Sequence, residues 1–564
     1  MFRHKTEDFD IHKLGSLYSP DKTIFRVFSP YYSELLLVIK GHSYYMHKKG
    51  HCFEIALASD LEGARYHFET ADGVSFRDPF AYASIGTDSI VMNRSRFIKE
   101  KIAMDEVKTP VIYECSVRDF SSAESYPGKY RCKFLSFTET GLKTKDGNSI
   151  GLDYLKELGI THLQLLPVFD FDNDKTDYNW GYNPVAYNYV KPAYLSDPDD
   201  PYAYINELRY TVNTLHKNGI RVVLDVVFNH VYSHVKNELG KMLKGHCFRR
   251  TADGKLAQGT FCGNEVKSED PFVRAYIVEM VDRYLDLFDI DGIRMDLMGI
   301  SDIDTVNLIH QTMRRQKPDF MVYGEGWNMG DALPETERAA IPNAKKLPGV
   351  AMFNDYFRET LIHYISGNTS IDEEVMRALS ADESYLDASQ SINYSECHDD
   401  YTFYDRMLIY KEEDRKQINQ ARAFLSIAMV MMAKGIPFIH AGQEFLRTKL
   451  GTRNSYNAAD EINKLEWNRR DKYAFGPKYL RDLISIRKEH PELYDPKTEL
   501  RFTCFEGCIA YEVSDLLVII NPTDTAQIYS DGQRHEMIFA REGRCSFSGV
   551  SIPVSSYSLV ICRI

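Results

Sequence analysis

The feature that most constrains the fold is a repeated alternation of short apolar strand patterns with helical patterns from about residue 108 onward. Helical periodicity at residues 273–288, 303–315 and 417–434 separates several of the strand patterns. The eight candidate strands are residues 111–117, 161–168, 222–229, 292–295, 321–324, 350–353, 392–395 and 436–441. Eight such units predict an α/β fold, a parallel (β/α)8 barrel whose active site lies at the carboxyl ends of the strands.

Strand patterns without intervening helices flank this region on both sides. Short strands at such spacing predict small β-sandwiches. We therefore expect an N-terminal β-sandwich over residues 1–105, a barrel over residues 106–490 and a C-terminal β-sandwich over residues 491–564. The patterns behind the two sandwiches are residues 23–30, 35–39, 52–57 and 65–70 before the barrel, and residues 509–513, 516–520 and 558–561 after it.

Composition restricts the partners of the chain. The formal net charge of −13 opposes binding to nucleic acid, which requires a basic face, but it is compatible with a neutral substrate such as a sugar. No apolar segment follows the first ten residues as a secretory signal would, and no run reaches the length of a membrane span. The ten cysteines show no CxxC spacing. We expect a cytoplasmic protein with reduced thiols and no membrane contact.

Asp296 is the first candidate catalytic residue. It follows a short apolar strand, and Arg294 stands two residues before it. Residues i and i+2 of a strand point to the same side, so both side chains should project from the same strand end. A neighbouring arginine favours the ionised form of a carboxylate. A nucleophile needs that form, so we expect Asp296 to be the nucleophile.

Two further acids end strand-like runs in the same way. Glu325 lies between two glycines and beside Trp327, where apolar surroundings would raise its pKa. Asp399 follows His398 at the end of the run from residue 392. Glycoside cleavage requires an ionised nucleophile and a protonated acid on either side of the scissile bond. We expect Glu325 to be the general acid/base and Asp399 to stabilise the transition state.

The strand at residues 222–229 contributes two more candidates. Asp225 should face the same mouth of the barrel, and His230 stands just past the strand end. A single histidine at a strand end is more often structural. Here it accompanies three other strand ends that bear acids, so we expect it to hydrogen-bond a sugar hydroxyl.

Four of these segments resemble the conserved regions of the α-amylase family, glycoside hydrolase family 13. They are residues 225–230, 292–296, 324–327 and 396–399. The stretch YNWGYNP at residues 178–184 resembles the signature of one subgroup, the type I pullulanases. The resemblance extends from about residue 15 to about residue 495. It also includes residues 113–121, 262–266, 296–299, 353–355, 440–445, 447–449 and 454–457.

The resemblance implies hydrolysis of α-1,6 branch linkages in pullulan, glycogen or limit dextrins, with retention of configuration. It implies that Asp296 forms the glycosyl intermediate and that Glu325 protonates the leaving oxygen. The substrate is then a branched α-glucan, and we expect a monomer. The residues expected to contact the substrate are Trp180, Tyr182, Asp225, His230, Arg294, Trp327 and His398.

Some features depart from the family or leave its properties open. Asn183, Ser116 and Asp400 replace the Asp, His and Asn that are usual in relatives, and Asp400 adds a negative charge beside Asp399 that could shift the pH optimum. The upstream modules of secreted relatives are missing, which favours an intracellular enzyme.

Asn229 matches a calcium ligand of many α-amylases, but we identify no partner ligands. We therefore expect no required cofactor, and a structural calcium ion stays open. The first module resembles carbohydrate-binding module family 48. We expect a packing role for it, because its candidate sugar contacts are only tyrosines, such as Tyr44 and Tyr45.

Several other activities share the same barrel and acids. An α-1,4-acting amylase or neopullulanase is the second interpretation, although the stretch at residues 178–184 opposes it. Isoamylase-type debranching differs in preferring larger branched polymers, and a branching transglycosylase differs only in its products. A catalytically silent sugar-binding relative would usually lose part of the catalytic set, which Asp296, Glu325 and Asp399 preserve here.

Overall fold

The central domain is a closed barrel of eight parallel strands, which confirms the predicted fold. The computed structural model describes residues 5–6, 9–173, 176–330, 332–381 and 387–564. The barrel closes where the first strand pairs with the eighth, with Ile112 opposite Phe438. In chain order the strands are Ile112–Cys115, His162–Leu165, Arg221–Val226, Gly292–Met295, Met321–Gly324, Ala351–Phe353, Ser391–Asn393 and Ile436–His440.

Helices surround the barrel, and local sequence explains where they begin and end. Pro271–Phe288 starts at Asp270, whose side chain accepts from the backbone N–H groups of Phe272 and Val273, and it stops at the left-handed Asp289. The predicted helices are confirmed. Within the described residues the α-helices are Asp119–Ser122, Leu152–Leu158, Ala203–Lys217, Glu238–Met242, Pro271–Phe288, Ile303–Gln316, Asp355–Ile365, Asp372–Ser380, Phe403–Tyr410, Lys416–Met432, Asp460–Asn463, Asn468–Lys472 and Phe475–Glu489.

The N-terminal module is a β-sandwich of antiparallel sheets. A short hairpin, Lys5–Thr6 with Phe9–Asp10, precedes it. The four-stranded sheet has the order Gly15–Ser19, Lys22–Phe28, Cys52–Leu57, His47–Lys49. The six-stranded sheet has the order Ser84–Ile85, Asp88–Ile90, Arg65–Thr70, Leu35–Ile39, His42–Tyr45, with Ser75–Phe76 paired to Arg65–Thr70.

Polar contacts join this module to the barrel. Arg77 donates from Nε to Glu238 Oε1 at 2.9 Å and from Nη2 to Asp170 Oδ2 at 3.0 Å. The Ser29 hydroxyl donates to the carbonyl oxygen of Met242 at 2.7 Å. Glu238 is buried, so its charge requires the guanidinium as a partner. These contacts fix the module on the helix that follows the third barrel strand.

The C-terminal domain is a second β-sandwich. Its larger sheet has the order Arg501–Phe505, Cys508–Val513, Leu516–Asn521, Ser558–Arg563, His535–Ala540, Gly543–Gly549, and its smaller sheet pairs Gln527–Tyr529 with Ile552–Val554. The module's last strand ends at Ile90, and the last barrel helix ends at Glu489. The domain boundaries at residues 105 and 490 stay predictions.

Two findings bear on the compartment expected from the sequence. No helix in the described part of the chain combines the length and apolar character that a membrane span requires. All ten cysteines are present as free thiols.

Candidate active site

Arg294 forms the centre of the candidate site. From the fourth strand its Nη1 lies 3.0 Å from each carboxylate oxygen of Asp225 and 3.0 Å from Oδ1 of Asp296. Its Nη2 lies 2.6 Å from Oε1 of Glu325. Asp225 and Arg294 are direct neighbours in the parallel register, and Glu325 follows the fifth strand. One buried guanidinium therefore joins three carboxyl groups from three adjacent strands.

Asp296 receives support from the third strand as well. Asn229 donates from Nδ2 to Asp296 Oδ2 at 3.0 Å, and His230 Nδ1 lies 3.8 Å from the same oxygen. Burial lowers the pKa of His230, although Asp296 opposes that shift, so the imidazole is neutral near pH 7. In the described part of the chain, Nε2 of His230 has no hydrogen-bond partner and is free to bind a ligand.

The backbone around Glu325 leaves little freedom. A Cβ atom at Gly324 would lie 2.3 Å from the carbonyl oxygen of Met295, so only glycine fits there. Leu297 adopts a left-handed conformation with φ of 36°. Its N–H thereby donates to Glu325 Oε2 at 2.9 Å. A strained non-glycine residue beside a catalytic candidate is typical of functional sites.

The pKa of Glu325 is shifted by its surroundings. Burial raises the pKa of Glu325 to about 7; Arg294 opposes this, and the negative charges of Asp296 and Asp399 add to it. Asp296 accepts from the same guanidinium and from the side-chain amide of Asn229. Near and below neutral pH Glu325 therefore retains a proton, as a general acid must.

Aromatic rings form one wall of the site. Tyr182 stacks on His398 with ring centroids 5.1 Å apart and an interplanar angle of 16°, and its hydroxyl donates to Asp225 Oδ2 at 2.6 Å. Trp180 meets His398 edge to face at 4.9 Å. Trp327 is half-buried and packs against the apolar residues of the barrel. The structure thus places Trp180 and Tyr182, the aromatic residues predicted to contact the substrate from residues 178–184, beside the carboxyl groups of the site.

Asp399 requires a correction to the sequence analysis. The seventh strand ends at Asn393, so Asp399 lies on the following loop and not at a strand end. The run of residues 392–399 resembled a strand because it begins with apolar residues. The Asp399 residue is exposed, whereas Asp296 and Glu325 are largely buried. Its charge still reaches the site, because it contributes to the raised pKa of Glu325.

Sequence reasoning did not select Glu114, although this residue is part of the site. Glu114 lies on the first strand, is buried, and accepts from both the backbone N–H and Nδ1 of His398, each at 2.7 Å. Gln164 on the second strand donates to it as well. The only local signal was an acid inside a buried strand, which requires a partner.

The three departures from the family are accommodated locally. The carboxylate of Asp400 accepts from Arg406 Nη2 at 3.0 Å and from Arg453 Nε at 3.2 Å, so two guanidiniums offset its charge. The Ser116 hydroxyl accepts from the backbone N–H of Asp119 at 3.3 Å. Asn183 donates to the carbonyl oxygen of Asp172 at 3.5 Å.

The residues around Asn229 do not fit a calcium site. The amide nitrogen of Asn229 is directed at Asp296 and His230, and its buried Oδ1 has no hydrogen-bond partner among the described residues. Calcium requires six to eight oxygen ligands, usually including carboxylates. Among the described residues, no group of three or more His, Cys, Asp or Glu side chains is placed to hold a metal ion.

Comparison with known proteins agrees with this geometry. The family profile described as "Alpha amylase, catalytic domain" matches residues 134–242. A pullulanase of Bacillus subtilis (strain 168) is 36% identical over 545 residues, which cover 89% of this chain and 76% of that protein. Pullulanase A of Streptococcus pneumoniae serotype 4 is 27% identical over 488 residues, covering 72% of this chain and 37% of that protein.

Solved structures give the same result for the fold. The crystal structure of a pullulanase from Anoxybacillus sp. LM18-11 complexed with maltotetraose superposes with a TM-score of 0.95 at 31% identity, covering 98% of this chain and 88% of that one. A barrel with acids at the carboxyl ends of its strands defines a carboxylate-based glycoside hydrolase. The chain belongs to the type I pullulanases, the debranching enzymes of the α-amylase family, glycoside hydrolase family 13.

Proposed function

We propose that this debranching enzyme cleaves α-1,6-glucosidic branch linkages in pullulan, glycogen or limit dextrins by a retaining double displacement. The observation that supports it is the placement of Asp296 and Glu325 on one guanidinium, together with the burial that raises the pKa of Glu325 to about 7. A retaining glycosidase needs one ionised and one protonated carboxyl close together. Relatives that are pullulanases support the branch specificity.

In the first step, Asp296 attacks the anomeric carbon while Glu325 donates its proton to the oxygen of the leaving chain. A covalent glycosyl ester on Asp296 results. In the second step, Glu325 removes a proton from a water molecule, which attacks the same carbon and releases Asp296. Burial raises the pKa of Glu325 to about 7, which suits a group that must give and then take a proton near neutral pH.

The remaining site residues bind and orient the sugar at the cleavage position. Tyr182 offers its ring for stacking, and Nε2 of His230 is free to bind a hydroxyl. His398 and Arg294 complete this pocket, with Trp180 behind the histidine and Trp327 at its edge. The exposed Asp399 stabilises the positive charge that develops on the sugar.

Asp225 has a different role in this proposal. It is completely buried, and its oxygens are occupied by Arg294 and Tyr182. It therefore positions those two side chains and does not itself reach the substrate.

The proposal also covers the role of the N-terminal module, the oligomeric state and the compartment of the enzyme. The N-terminal module serves mainly to pack against the barrel, through Arg77 and its neighbours, although Tyr45 on its six-stranded sheet is 71% exposed. The enzyme acts as a monomer in the cytoplasm on glycogen or imported maltodextrin and requires no cofactor. The net charge of −13 suits an uncharged glucan.

Product analysis tests the proposal directly. We expect the purified protein to release maltotriose from pullulan, and the Asp296→Asn variant to release none. Asp21→Asn, at an exposed position of the N-terminal module, serves as the matched control and should retain full activity. Release of panose or isopanose would instead assign α-1,4 cleavage. Proton NMR of the first product separates retention, seen as an α-anomer, from inversion.

A further inference from the structure

One aromatic side chain in the loop after the third barrel strand has no packing role. Phe261 is 90% exposed, the largest exposure among the large hydrophobic side chains of the described residues. Its φ of 60° is left-handed, which is a genuine outlier for a bulky residue. A single exposed apolar side chain needs no explanation by itself. Exposure and strain together indicate a position that is maintained for a function.

The loop that carries Phe261 is tightly fixed. The buried Thr260 donates from Oγ1 to the carbonyl oxygen of Gly263 at 3.0 Å and accepts from the backbone N–H of Cys262 at 3.1 Å. The Phe261 N–H donates to the carbonyl oxygen of Gln258 at 3.0 Å. A ring held on a rigid loop loses little entropy when a ligand binds to it. The backbone that carries Phe261 is therefore preorganised.

The same loop borders the catalytic centre. The strand Asn264–Glu265 pairs antiparallel with His230–Val231, and His230 lies 3.8 Å from Asp296. A Cβ atom at Gly263 would lie 2.2 Å from the carbonyl oxygen of Val231, so the two segments are in close contact. Partial burial raises the pKa of the Cys262 thiol, and the charges of the three candidate catalytic acids add to that shift.

The contacts also show which side of the cleavage point the loop faces. Gly330 follows the Glu325 turn, and a Cβ atom there would lie 3.5 Å from Glu265 Oε1. Arg249 also ties the loop to the segment that follows Asp296, donating from Nη1 to Glu265 and to the carbonyl oxygen of Ile300. The loop thus lies beside the segment that carries the general acid. A general acid protonates the leaving oxygen, so this side receives the leaving chain.

We propose that Phe261 is a stacking platform for a glucose ring of the leaving chain and thereby selects substrates with an extended chain on that side of the branch. This inference rests on the proposed function, because it assigns the leaving side from Glu325. Aromatic faces bind the apolar faces of sugar rings, as they bind other flat apolar groups.

The test compares two substrates whose leaving groups differ in whether they can reach Phe261. The leaving group of pullulan is a glucan chain. The leaving group of α-maltosyl fluoride is a fluoride ion, which cannot reach Phe261. Loss of one aromatic contact corresponds to roughly a threefold to tenfold change, so we expect Phe261→Ala to lower kcat/KM on pullulan by that factor. Fluoride release should change by less than about twofold, and Phe261→Trp should retain activity on both substrates.

Ile528→Ala is the matched control, because Ile528 is 67% exposed on the C-terminal domain, far along the chain from the site. It should change neither reaction. An unchanged kcat/KM on pullulan for Phe261→Ala, or equal losses on both substrates, would overturn the inference. A wild-type enzyme that releases fluoride but no maltotriose would instead refute the proposed branch specificity, so the two failures are distinguishable.

Discussion

The carboxylate of Glu114 holds His398 at two points, through the backbone N–H and through Nδ1, each at 2.7 Å. The two residues are 284 positions apart in the chain. Burial by itself lowers the pKa of His398, but the adjacent negative charge outweighs it, and the net pKa is raised. Glu114 therefore controls the orientation and the charge of the ring on which Tyr182 stacks.

Replacing Glu114 by glutamine should lower the pKa of His398 and weaken substrate binding. A hydrogen bond to a charged group contributes about 1.5–3 kcal/mol, so we expect kcat/KM to fall roughly tenfold to a hundredfold. Histidine titration by NMR, together with the pH profile of kcat/KM, measures both effects. Glu461→Gln, at an exposed position, is the control. An unchanged titration of His398 would contradict the assignment.

The activity should decline as the pH rises through about 7. Glu325 must be protonated in the free enzyme to act as the general acid, and burial raises its pKa to about 7. Because the pKa of Glu325 is raised to about 7, its protonated form dominates below that pH and is lost above it. The pH profile of kcat/KM on pullulan measures this limb.

Glu325→Gln identifies the group responsible for that decline. General acid catalysis contributes roughly 10²–10⁴-fold, so the variant should lose that much activity on pullulan. Fluoride leaves without a proton, so the formation of the glycosyl intermediate from α-maltosyl fluoride should persist and be visible as a burst. A variant that loses the burst as well would show that Glu325 has a structural role instead.

Arg294→Lys should inactivate the enzyme although it preserves the charge. Lysine is a compact point charge and cannot bind Asp225, Asp296 and Glu325 together, as the planar guanidinium does. Breaking one buried ion pair costs about 3–5 kcal/mol, which predicts a loss of at least about a hundredfold in kcat/KM and a lower melting temperature. Arg314→Lys, on an exposed helix surface, should change neither quantity.

Asp400→Asn should leave the pH profile almost unchanged. The extra charge that the sequence places beside Asp399 is offset by Arg406 and Arg453. Asparagine also tolerates the left-handed φ of 62° at this position, so the variant should fold. A shift of the alkaline limb by more than about half a pH unit would mean that the two guanidiniums do not screen Asp400.

Much of the fold followed from the sequence, because each strand and helix of the barrel has its own local periodicity. The strands Gly292–Met295 and Met321–Gly324 were predicted with their observed bounds, since each is a short apolar run that an acid follows directly. The pairing of these strands brings Arg294 and Glu325 together, as the repeated pattern implies.

The remaining parts of the site depend on contacts that have no local signal. Glu114 binds a residue 284 positions away, and nothing in its own strand indicates that partner. The loop position of Asp399 was missed because the apolar start of its run resembles a longer strand. The contact between Arg294 and Asp225 became visible only when the strand register was known.

Closure of the barrel has a consequence for how the protein is made. Tyr113 on the first strand donates to Glu444, which follows the eighth strand 331 positions later. A ribosome therefore releases the first barrel strand long before its final neighbour exists, and the edge of that strand remains unpaired in the interval. Unpaired apolar edges favour aggregation, so nascent chains of this enzyme should depend on chaperones until the eighth strand emerges. Catalytic competence is then gained late in folding, because the histidine held by Glu114 lies beyond the seventh strand.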